Sequence, residues 1–156
     1  VVIGARREEM ATPVHTISFF QLEGRARYNL ENSLQFTEDS LLDEDNLYLH
    51  QETNRRFRRR IEKISIVNTP MLILYLQRLG PEEERNVTEV VFPDRLMGLS
   101  LYAIVVHLNV HYTAYIKVQG VWYYYDDMSD RMTQSSPLAP KGTPSAARYG
   151  TLFFYG

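Results

Sequence analysis

The chain contains no cysteine. That excludes disulfides, cysteine-ligated metal centres and a cysteine nucleophile within these residues, and it leaves the redox compartment open. Lysine is scarce, occurring at Lys63, Lys117 and Lys141, so arginine carries most of the basic charge. That excess reads as codon bias rather than as a demand for bidentate contacts. No apolar run approaches the roughly 20 residues needed to span a bilayer, so no membrane partner is expected. The opening Val1-Val2-Ile3-Gly4-Ala5-Arg6-Arg7 is not a signal peptide, because its apolar part is short and precedes the charges. It also lacks an initiator Met, which suggests a cut upstream. With a net charge of −2 there is no bulk attraction to nucleic acid. Neither a Gly-x-Ser-x-Gly nucleophile elbow nor a phosphate-cradling glycine loop occurs.

What is present suits one globular domain, or a piece of one. The chain has 156 residues, of which 44% are hydrophobic, and its 11 tyrosines lead an aromatic content typical of sheets and interfaces. Residues 1–13 read as a tail or linker, and residues 14–156 show no internal boundary or repeat. Residues 15–20 and 25–28 suggest a hairpin around Glu23-Gly24, and 33–36 a further short strand. Thr37 caps an expected helix with acids in its first turn. Alternation at 61–67 predicts a half-buried strand, and the apolar run 71–76 a central strand buried on both faces. Strands are also expected at 87–92, 99–107 and 150–155. The Ser-, Pro- and Gly-rich stretch 129–148 reads as a long loop.

The chemistry concentrates in residues 110–127. Gln119-Gly120 is a turn that folds 122–127 back along 112–118, bringing Asp126 toward His111. A carboxylate beside an imidazole fixes its tautomer and stabilises its protonated form. The pair is either a catalytic base with its orienting carboxylate or a structural hydrogen bond closing a hairpin. Alternation turns the neighbouring Asp127 to the other face. A metal trio of His107, His111 and Asp126 is conceivable, but the spacing is weak support and no metal ligand is assigned. His15 and His50 receive no role. The basic run Arg55, Arg56, Arg58, Arg59 and Arg60 is either a solvated strand or a phosphate-binding patch for RNA.

Several blocks in order then resemble one family. Residues 64–79 resemble the "lP-x-vLiihLkRF" strand of the ubiquitin-specific proteases. Residues 91–96 are similar to their "V-x-FP-x-x-L", 101–107 to "L-x-AVVvH", and 111–115 to the "GHYtAy" histidine box. Residues 122–127 are similar to "WY-x-FDD", 151–155 to the closing "AYlLFY", and 41–48 to "E-x-L-x-x-x-N-x-Y". The resemblance covers roughly residues 33–156 and corresponds to the C-terminal half of such a domain. It implies an α+β, papain-like cysteine-protease fold, mainly its antiparallel palm and fingers, in an intracellular protein. His111 would be the catalytic histidine and Asp126 the residue that orients it. Val110, Tyr112 and Trp122 would meet the substrate, the C-terminal tail of ubiquitin or a ubiquitin-like protein.

The chain departs from the family at four places. No cysteine box is present. The finger zinc motif appears as Tyr48-Leu49-His50-Gln51-Glu52-Thr53 without its cysteines, so no cofactor is expected. The glycine before the histidine is Val110, and the 107–111 connection is short. Two readings follow. One is a deubiquitinase-type hydrolase whose nucleophile lies in a missing N-terminal half or a partner chain. The other is a catalytically inactive, ubiquitin-specific-protease-like scaffold or binding subunit of a large protein or ribonucleoprotein assembly.

Overall fold

The computed structural model describes residues 14–34, 48–50, 55–57, 70–129 and 132–156. The core motif is alternation. In β5 (Leu72–Leu76), Leu72, Leu74 and Leu76 are fully buried, while Ile73 and Tyr75 between them are half-buried. The strand is interior to the sheet, yet one face rather than both is sealed, which corrects the reading of the apolar run.

β5 sits between β1 (Val14–Ile17), which pairs with it in parallel, and β12 (Gly150–Tyr155), which pairs antiparallel. β12 then pairs with the ten-residue β8 (Leu99–Leu108), and β8 with β9 (His111–Val118). β9 pairs with β10 (Val121–Tyr125), and β10 with the edge strand β11 (Met132–Gln134). The sheet order is therefore β1-β5-β12-β8-β9-β10-β11, with β7 (Arg95–Leu96) attached to β8. Two small ladders lie apart from it. β2 (Arg27–Asn29) runs parallel to β6 (Glu89–Val91), and β3 (Tyr48–His50) is antiparallel to β4 (Arg55–Phe57).

One sheet face carries the core. Ile104, Val106, Leu101, Tyr115, Phe153 and Tyr155 join the leucines of β5 there, covered by Leu22, Leu30, Val90 and Phe92. Arg78 is buried with them at 5% exposure, and among the described residues it has no carboxylate partner. Its guanidinium donates instead to the carbonyls of Gly150 at 2.7 Å, Thr88 at 2.9 Å and Ala147 at 2.9 Å. Burial, with Arg85 nearby, lowers its pKa to about 10, so it remains cationic at neutral pH.

Three further expectations are corrected. The hairpin at 15–28 does not form: Ser18 caps the short helix α1 (Phe19–Leu22) with a capping box to Gln21, and the flanking strands go to different parallel partners. Of the strand expected at 33–36, Ser33 and Leu34 instead belong to a 3₁₀ turn, Leu30–Leu34, and residues 35–36 lie outside the described residues. The loop 129–148 contains β11 and leads into α2 (Ala146–Tyr149), which is N-capped by Ser145. The described helices are short, so sheet dominates. The helix after Thr37, the strand at 61–67 and Arg58–Arg60 lie outside the described residues. Arg55 and Arg56 are on β4.

Candidate active site

The site is made by two turns at opposite ends of β9. At one end, Gln119 (φ 50°) and Gly120 (φ 80°) both take the left-handed conformation. This matches the hairpin turn whose twist suits paired strands. It fixes the register Val121↔Val118, Trp122↔Lys117 and Tyr124↔Tyr115, so β10 ends at Tyr125 opposite Ala114. The chain then leaves the ladder and Asp126 curls back over the start of β9. At the other end, the two residues Asn109-Val110 link β8 to β9, with Asn109 at φ 41° and Leu108 paired to His111.

His111 Nε2 stands 2.6 Å from Asp126 Oδ1. A carboxylate only accepts, so the proton lies on Nε2–H and the neutral ring keeps its lone pair on Nδ1. The Met128 N–H donates to the same Oδ1 at 3.0 Å, and the Ser129 N–H to the Asp126 carbonyl at 3.0 Å. The hydrogen bond from His111, followed by that from Met128, holds the Asp126 carboxyl below the usual carboxylate range. Both side chains are partly accessible, His111 at 28% and Asp126 at 29%, so the pair lies at a surface that a substrate can reach.

Asp127 is not turned away. Its Oδ1 lies 3.6 Å from His111 Nε2. The strand ends at Tyr125, and beyond it alternation no longer decides direction; the turn at residues 126–129 does. Residue 127 was therefore missed, and the signal that could have found it is the short polar turn sequence that follows the tyrosines.

The other residues singled out by sequence are not gathered at the imidazole. Tyr112 faces the opposite side of the sheet from His111 and stacks on His107, with centroids 4.2 Å apart and planes 6° from parallel. His107 is accordingly no partner of His111 in a metal trio. Burial, then Arg85, lowers its pKa. Val110 sits at the tip of the β8–β9 turn and is 97% exposed. Arg85, which the sequence reading passed over, donates from Nη1 to Asn109 Oδ1 at 3.2 Å and stacks over Tyr149, bracing that turn. Trp122 pairs with Lys117, about 20 Å along β9 from His111 at 3.3 Å per residue. There it borders a groove of about 590 Å³ shared with Ser135 and Lys141. It lies outside the imidazole's surroundings.

No family model matches the sequence, and no curated protein matches it. Solved structures do. One is the DUB module of SAGA, containing Ubp8, Sgf11, Sus1 and Sgf73. It is similar at a TM-score of 0.53 and 17% sequence identity over 91% of this chain. The match covers 34% of that neighbour's chain, so the present chain spans about a third of its length. At this identity the likeness is one of fold: a mostly β architecture shared with part of a deubiquitinase module.

Proposed function

We propose that this chain is the histidine-bearing part of a ubiquitin-specific-protease-like, papain-like cysteine hydrolase domain. The observation that carries the proposal is the 2.6 Å bond from His111 Nε2–H to Asp126, which presents Nδ1 as an open base. The fold likeness to a deubiquitinase module supports the substrate class, ubiquitin or a ubiquitin-like protein.

In this reading the thiol comes from polypeptide outside these residues, because the chain has no cysteine. Nδ1 takes the thiol proton, and the thiolate attacks the carbonyl of the substrate's terminal glycine. The resulting imidazolium is stabilised by Asp126 and then protonates the leaving amine. Water hydrolyses the thioester, with His111 again as base. Val110 and the short β8–β9 turn meet the incoming tail. The β3–β4 ladder has no cysteine with which to hold the family's finger zinc.

The test is labelling of the full-length protein by ubiquitin carrying a C-terminal electrophile. A cysteine adduct that disappears in His111→Ala supports the hydrolase; a folded protein that never labels overturns it. The exposed Val110, standing where the family has glycine, favours a second reading as a ubiquitin-binding or scaffolding domain without turnover. Binding of unmodified ubiquitin without labelling selects that reading. RNA binding through the arginines around β4 stands as a third reading. Salt-dependent binding that is lost when Arg55, Arg56, Arg58, Arg59 and Arg60 are replaced by glutamine supports it, and salt-insensitive or absent binding sinks it.

A further inference from the structure

We propose that His111, Asp126 and Asp127 form a binding site for a divalent transition cation of the zinc type. The three offer one imidazole nitrogen and two carboxylate oxygens, all within 4.8 Å of one another. His111 Nε2 lies 2.6 Å from one carboxylate oxygen and 3.6 Å from the other. Donors held about 2.0–2.2 Å from a common zinc in tetrahedral geometry stand about 3.3 to 3.6 Å apart, so the Asp127 contact is already in range and a movement of about 0.7 to 1 Å at His111 opens the Asp126 contact to it. Asp127 is 68% exposed and has room to make its share of the adjustment. Asp126 is held in place by the Met128 N–H, so one ligand is already set.

Charge points the same way. Two adjacent carboxylates share this corner, and among the described residues their only cationic partner is the titratable imidazole. No described lysine or arginine pairs with either. A divalent ion neutralises both carboxylates at once, which a neutral imidazole cannot do. Three protein ligands leave a fourth position for water, as in an open rather than a closed structural site. Imidazole with carboxylates suits zinc, cobalt or manganese better than calcium, which takes six or more oxygens.

Occupancy has a defined consequence for the imidazole. A metal on Nε2 places the remaining ring proton on Nδ1, and Nδ1–H has no lone pair with which to take a thiol proton. The cation is thus a reversible off-switch for the base; this part rests on the proposed hydrolase reading.

The experiment is titration of the full-length protein with Co²⁺, followed by its visible d–d absorption, and displacement of the cobalt by Zn²⁺. One equivalent is expected to produce the bands. Asp127→Asn should weaken binding at least about tenfold, His111→Gln should abolish it, and His107→Gln, on the other sheet face, should leave it unchanged. Circular dichroism verifies that each variant is folded; Asp127 lies at the surface, so its replacement keeps the fold. Absence of the bands, or equal affinity in Asp127→Asn, overturns the site. Zinc at site-filling concentrations should also slow ubiquitin-electrophile labelling, with a chelator restoring it. A protein that binds cobalt through His111 but never labels sinks the hydrolase and leaves the metal site standing. A protein that labels but binds cobalt no better than Asp127→Asn does the reverse.

Discussion

At the scale of single residues, the proposed function turns on which ring nitrogen is free. Asp126 holds Nε2, so replacing Asp126 by Asn lets the ring take either tautomer. The labelling rate of the full-length protein is expected to fall by about 10²-fold or more while ubiquitin binding is retained. The same contact carries a pH signature. Hydrogen bonds from His111 and Met128 lower the Asp126 pKa in the folded protein, so their stabilisation is present above the carboxyl's unfolded value of 3.8. It is lost as pH falls through the lower folded value. A carboxyl ¹³C titration by NMR should place the Asp126 midpoint below 3.8 and move it up in His111→Ala. The pairing of His111 with Asp126 was legible because a hairpin's register follows from its turn and alternation. Asp127 was not, because it lies past the last ladder residue, where local hydrogen bonds set direction.

At the scale of elements, the β9–β10 hairpin is the positioning device. Gly120 has nothing within 4 Å of where a Cβ would sit, but its φ of 80° disfavours any L side chain. Gly120→Ala is expected to cost about 1 kcal/mol, read as a lower urea midpoint with an unchanged slope. Strands with strong alternation or continuous apolar runs, such as β5, β8 and β12, were visible from sequence. The parallel partners of β1 and β2 were not. Short β-rich segments around Glu23-Gly24 look like a hairpin, and only the Ser18–Gln21 capping box, a helix signal, argues otherwise. In 129–148 the turn-forming composition concealed α2, whose four residues are too few to show a helical period.

At the scale of the molecule, Arg78 ties separate parts of the chain together. Its three short hydrogen bonds reach the 86–88 segment, α2 and the start of β12. Removing it strands buried carbonyls as well as opening a cavity, so Arg78→Ala is expected to destabilise by about 3 kcal/mol or more. The measurement is the unfolding free energy in urea. Lysine should not rescue it, because one ammonium cannot reproduce the planar fork. The sequence placed Arg78 only within the family-like block 64–79, with nothing to mark it as buried. Its burial follows from where β12 lies, which no local pattern encodes.

That placement has a bearing on synthesis. Among the described strands β12 comes last in sequence, yet it stands between β5 and β8 in the sheet. A ribosome delivers both of those strands before the one that separates them. Until residues 150–155 emerge, the facing edges of β5 and β8 offer unpaired amides and carbonyls, a template for the wrong strand. The hairpin bearing His111 can close early, because its contacts are local. The sheet that anchors it is completed only when residues 150–155 slot in, so mispairing at those two edges competes with the native order until they do.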